Sequence, residues 1–151
     1  MDSLKERLRN DLTASMRARD ELRMSTLRMV LTAVTTSEVA GATARELSDS
    51  EVLAVLTKEA KKRREAADAF HEGGRSDRAE REEAEAGVIA EYLPAPLSDD
   101  ELAAMVDAAV AETGASSPRD MGAVMKALQP RTTGRADGAR VAAAVRTRLN
   151  V

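Results

Sequence analysis

The sequence predicts an all-α protein: an N-terminal helical hairpin or bundle unit followed by a small three-helix C-terminal domain. Three observations carry that expectation. No stretch alternates apolar and polar residues with the period of two that a half-buried strand requires. Apolar residues recur instead every three or four positions, as at Met24, Leu27, Leu31 and Val34, which is the spacing of one helix face. Helix starts are marked by a serine with an acid three residues later, at Ser3/Glu6, Ser48/Glu51, Ser98/Glu101 and Ser117/Asp120. There the hydroxyl accepts from an orphan N–H, the acid reaches back, and its charge favours the positive end of the helix dipole.

Taken in order, these signals predict helices over 3–18, 20–40, 49–72, 76–93, 99–113, 118–128 and 138–149. Stops are supplied by Gly41, Gly73-Gly74, Gly114 and the prolines at 94 and 130. Pro118 sits in a first turn, where its missing N–H costs nothing. The third helix carries Leu53, Leu56, Ala60, Arg63, Ala67 and Phe70 on a 3-4 alternation that packs helix against helix. Pro94-Ala95-Pro96 forces extended backbone, because a residue before proline avoids the helical region. The expected division is therefore 1–93 and 97–151, the second close to the size at which a lone core is marginal.

Composition limits the chemistry. The chain has 151 residues, 43% of them apolar, and its only aromatics are Phe70 and Tyr92. The core must be built from Leu, Val, Met and Ala, with Met105, Met121 and Met125 filling irregular gaps. With no cysteine there is no disulfide, no thiolate zinc site and no cysteine nucleophile. His71 is the only histidine, beside Gly73-Gly74, and reads as a surface residue complementing a helix C-terminus rather than a ligand. Neither a metal nor any other cofactor is expected. The serines read as caps, and there is no nucleophile elbow, P-loop or dinucleotide fingerprint. No apolar run of about 18 residues and no signal-peptide pattern occurs, so a cytoplasmic location without membrane contact is expected.

Charge is unevenly spread along the chain. Residues 1–65 hold 13 basic and 11 acidic side chains, 66–112 hold 3 and 13, and 113–151 hold 7 and 2. The basic tail centres on MGAVMKALQPRTTGRADGARV, where Lys126, Arg131, Arg135 and Arg140 surround a loop opened by Gly134 and Gly138. Such a loop lets another chain approach closely, and Asp137 can cap the helix that follows. An ordinary interhelical turn with solvated arginines is the competing reading. A second basic group, Lys58, Lys61 and Lys62, faces outward on the third helix. Its neighbours Arg63 and Arg64 are expected to pair with Glu82 and Glu85 of the returning helix, because Arg63 falls in the apolar seam, where an unpaired charge is costly.

Several separated segments, LRMSTLRMVLTAV, KEAKKRREAADAF, EEAEAGVIAEYLPAPLSDDEL and ETGASSPRDMGAVMKALQPRTTGRADGARV, together resemble the GatB/YqeY family, and in particular its stand-alone YqeY-like proteins. The resemblance implies an all-α protein whose smaller C-terminal domain is similar to the tail of the B subunit of the tRNA-dependent amidotransferase. That tail helps hold tRNA, while amide transfer occurs in domains with no counterpart here. The matching positions are Gly122, Met125, Lys126, Gly134, Arg135, Ala136, Asp137 and Gly138. A family-level label of carbon–nitrogen ligase with glutamine as amido donor accompanies the resemblance, although no catalytic residues are visible.

Three readings follow, and the ligase activity of that label, an enzyme in its own right, is the third. One is a non-catalytic adaptor that contacts tRNA or another structured RNA through Lys126, Arg131, Arg135 and Arg140, with Gly134 and Gly138 permitting close approach. Another is a protein-interaction module that docks on a tRNA amidotransferase or an aminoacyl-tRNA synthetase. Near-absence of aromatics argues against base stacking, so RNA recognition would be by shape and backbone charge.

Overall fold

The computed structural model describes residues 2–150 and is all-α: α1 (Leu4–Ala18), α2 (Glu21–Glu38), α3 (Asp49–Glu72), α4 (Ser76–Ala90), α5 (Asp99–Thr113), α6 (Met121–Thr132) and α7 (Gly138–Leu149), with a 3₁₀ turn at Pro118–Asp120 before α6. The helices group into two compact units, Met1–Leu93 and Pro94–Val151.

The capping boxes at Ser3/Glu6, Ser48/Glu51 and Ser98/Glu101 are closed in both directions. Ser117/Asp120 behaves differently. It opens the 3₁₀ turn, and the Asp120 carboxylate accepts the backbone N–H groups of Ser116 and Ser117 at 2.9 and 3.1 Å.

Three helix ends depart from expectation, the first being that of α2, which stops at Glu38 rather than 40. The fourth helix stops at Ala90 rather than 93, and the chain tightens into 3₁₀-type bonds from Glu91, Tyr92 and Leu93 to Val88, Ile89 and Ala90. Pro94 disfavours helical backbone just before it. The sixth helix runs through Pro130 to Thr132 instead of ending at 128. Proline removes one N–H from the last turn. The hydroxyls of Thr132 and Thr133 bond the carbonyls of Leu128 and Gln129 at 3.1 and 2.7 Å, and Gly134, at φ +80°, then turns the chain.

In the first unit the core is Leu8 of α1, Leu27, Val30 and Val34 of α2, Val52, Leu56 and Ala60 of α3, and Val88, Ile89 and Tyr92 at the end of α4. Towards the hairpin turn the buried apolar side chains are small, Ala67 of α3 and Ala79 and Ala86 of α4, so the hairpin has little apolar bulk of its own. Several polar groups inside are matched, although Arg63 Nε is not. Thr26 Oγ1 donates to the Leu22 carbonyl, and Tyr92 OH donates to Asp11 while Arg7 lies over its ring. Lys5, 8% exposed, pairs with Glu38 at 2.8 Å, and Glu38 also accepts the Leu47 N–H, which ties the 39–48 connection to the bundle. The second unit has its own core of Leu102, Val106, Ala109, Val124, Leu128, Val141 and Val145, closed by Leu97 and Leu149.

Candidate functional site

The tail cations do not form an open cradle. Arg131 pairs with Glu112 at 2.9 Å, Arg140 with Asp99 at 2.7 Å, Arg148 with Asp107 at 2.7 Å, and Arg135 approaches Glu101 at 3.8 Å. All four acids belong to α5. Dividing the sequence at residue 113 separated these acids from the arginines they meet. Counted over residues 94–151, basic and acidic side chains are equal, seven of each.

The four arginines are not held equally. Arg131 and Arg148 are 44% and 49% exposed, and pairs of that kind are worth only about 0–1 kcal/mol, so a phosphate could compete for them. Arg135 and Arg140 also bond backbone. Arg135 Nε donates to the Ala95 carbonyl at 3.0 Å, Arg140 Nη1 donates to the Leu97 carbonyl at 2.8 Å, and the Leu97 N–H donates to the Arg135 carbonyl at 2.9 Å. The loop between α6 and α7 is thereby strapped to the extended segment entering the unit. Gly138 is the first residue of α7, with Asp137 capping the Ala139 N–H at 2.8 Å. A Cβ at Gly138 would meet nothing within 4 Å.

Lys126 remains. It is two positions from both Val124 and Leu128, which are fully buried, so it lies on the opposite, outer side of α6. Seven residues earlier, close to two helical turns away, Arg119 stands in the 3₁₀ turn; in the sequence it is hidden beside the capping acid Asp120. Both are exposed, and neither makes an ion pair among the described residues. Exposed Gly122 lies between them, and a Cβ there would also meet nothing within 4 Å.

On α3, Lys58, Lys61, Lys62 and Arg64 are exposed. Arg63 is buried and central to a chain of charges. Its Nη1 donates to Glu59 at 2.7 Å and its Nε lies 3.3 Å from Glu85, without the alignment of a hydrogen bond. Arg81 Nε then donates to Glu85 and its Nη1 to Glu21 of α2. Arg64 lies one step, about 100°, around the helix from Arg63. That rotation takes it off the seam, and neither it nor Glu82 makes an ion pair among the described residues. Burial alone would push the Glu59 carboxyl up; the Arg63 bond and the Lys62 charge outweigh it and hold it below the usual range. His71 meets Glu83 at 2.7 Å on the exposed side of the hairpin.

Among the described residues no cluster of three or more His, Asp or Glu side chains could hold a metal, and no helix is long and apolar enough to cross a membrane. A profile for the family described as Yqey-like protein matches residues 5–149. The chain belongs to the YqeY-like family. A comparison with curated proteins gives no match.

In this YqeY-like chain the displaced carboxylate pKa values trace structure rather than a reaction centre. Glu51 is pulled down to about 2, first by the Arg45 guanidinium and then by the Ser48 N–H. Glu38 is lowered by Lys5 and the Leu47 N–H, Glu101 by Ser98, and Asp120 by the Ser116 and Ser117 N–H groups. A carboxylate whose folded pKa is depressed contributes stability above its unfolded value, about 4, and loses it as pH falls through the folded value. The thermal midpoint followed by circular dichroism is therefore expected to hold from pH 7 to about 5 and to drop between about pH 4 and 2. A midpoint at pH 3 equal to that at pH 7 would contradict this account of the caps and pairs.

Proposed function

We propose that this YqeY-like chain is a non-catalytic helical adaptor that contacts tRNA or another structured RNA, with the outer face of α6 as the tail's point of contact. The supporting observation is the outward pair Arg119 and Lys126, unneutralised by any acid of the described residues, with the open Gly122 between them. Arg131 is not part of this face, since it lies about 140° around α6 from Lys126, on the side that meets Glu112 of α5. Arg135 and Arg140 serve the reading indirectly, by holding the loop after α6 in place. The resemblance of the tail to that of the amidotransferase B subunit points the same way. Amide transfer, the family-level ligase label, is not assigned to this chain.

Binding that rests on phosphate neutralisation weakens steeply with salt. Purified protein is expected to bind tRNA at low salt in fluorescence anisotropy. Arg119→Glu/Lys126→Glu should lower the affinity at least about tenfold and flatten the salt dependence. Arg135→Glu is the poorer probe, since it also cuts the strap to Ala95. If tRNA does not bind at low salt, or binds the double variant equally well, the RNA reading fails. The equal numbers of charges in residues 94–151 favour the second reading, docking on a tRNA amidotransferase or aminoacyl-tRNA synthetase. Salt-resistant association with such an enzyme in the absence of tRNA would support it.

A further inference from the structure

We propose that the exposed side of α3 is a second, separate contact for the phosphate backbone of structured RNA, carried by Lys58, with Lys62 about 40° and Arg64 about 120° to either side of it around the helix. It rests on the reading that the chain contacts RNA, but it uses the other compact unit and none of the residues of α6.

Lys58, Lys61, Lys62 and Arg64 crowd four like charges into fewer than two turns of helix, over a rise of about 9 Å from Lys58 to Arg64. Lys58 and Lys62 stand at i,i+4, where like charges oppose helix formation. For Lys58, Lys62 and Arg64 internal neutralisation is slight. Lys58 and Arg64 make no ion pair among the described residues. Lys62, 61% exposed, reaches only Glu59 at 3.4 Å, and that carboxylate is already engaged at 2.7 Å by buried Arg63. The seam beneath the stripe is closed by the Glu59–Arg63–Glu85–Arg81–Glu21 chain, which leaves the outward cations with few internal acids to turn to.

The composition of the face selects the partner. The large apolar side chains that are exposed among the described residues are Met16, Met29 and Val39, none of them on α3. Around the cations the exposed residues of α3 are Ala54, Glu65, Asp68 and Ala69. A protein partner needs aromatic or aliphatic anchors at the centre of its interface, and a membrane surface needs apolar side chains to insert. A sugar–phosphate backbone needs only fixed cations at close spacing. With no aromatic on the face, contact is to the backbone and independent of base sequence. Glu65 and Asp68 end the stripe, which limits it to two or three phosphates.

The test uses the full chain and a fluorescent RNA duplex of about 20 base pairs, long enough to span two successive minor grooves. Lys58→Gln/Arg64→Gln removes two contacts without adding repulsion. It is expected to bind about tenfold more weakly at low salt, with the slope of log K against log salt reduced by roughly 1.5 to 2. Lys58→Glu/Arg64→Glu should bind more weakly still, and circular dichroism should show both variants folded, since neither side chain has an ion-pair partner among the described residues to lose. Wild-type affinity and slope in the Gln variant, alongside wild-type chain that does bind the duplex, would overturn this inference and leave the α6 reading standing. A wild-type chain that binds neither duplex nor tRNA would overturn both. Loss in the Gln variant with Arg119→Glu/Lys126→Glu unaffected would support the α3 contact and reject the one on α6.

Discussion

Replacing Arg63 by methionine is expected to destabilise the Met1–Leu93 unit by about 3–5 kcal/mol, the range seen when one partner of a buried ion pair is removed. Arg63, Glu85 and Glu59 have side chains only 9%, 10% and 13% exposed. The methionine would fill much of the space but leave two carboxylates in the α3–α4 seam, Glu85 with Arg81 alone and Glu59 with the exposed Lys62 alone. The loss should show as a lower urea midpoint with little change in slope. A compensated variant separates charge from packing. Glu59→Gln/Arg63→Met/Glu85→Gln removes both carboxylate charges along with the guanidinium and should recover most of the loss, because buried ionic networks replaced as a whole are often neutral in stability. If Arg63→Met alone leaves the midpoint unchanged, the network is not what holds the hairpin.

Leu128→Ala is expected to be the most damaging single change in the Pro94–Val151 unit. Leu128 is fully buried, and truncating such a leucine costs about 2–5 kcal/mol. A unit this small has a total stability of similar size. The two hydrophobic clusters share no residue, so the expected result is selective loss. Amide exchange should lose its protection over α5, α6 and α7, while α1 to α4 keep theirs. Uniform loss of protection along the chain would show that the two cores melt as one.

Much of the architecture could be read from the residues. Local signals set the helix starts, since a serine and an acid three residues apart need no information from elsewhere in the chain. The Arg63–Glu85 contact was also accessible, because α3 and α4 are joined by a short turn that fixes their register. The α6 end was not. Pro130 reads as a stop unless one knows that the helix carries on past the single N–H it removes, with the Thr132 and Thr133 hydroxyls adding bonds to the Leu128 and Gln129 carbonyls. The tail charges were misleading for a related reason. Their partners Asp99, Glu101, Asp107 and Glu112 lie 19 to 41 residues away, so a count along the chain sees a basic block where packing makes a balanced one. Arg119 went unnoticed because the helical phase linking it to Lys126 passes through a 3₁₀ turn.

The strap on the α6–α7 loop bears on where this small unit can be cut. Its anchor points, the carbonyls of Ala95 and Leu97, precede α5. A fragment starting at residue 97 would abandon Ala95 and leave the Arg135 guanidinium searching for another acceptor. The portable piece therefore begins at Pro94, and a graft onto a different body must carry the proline pair along as its lead-in.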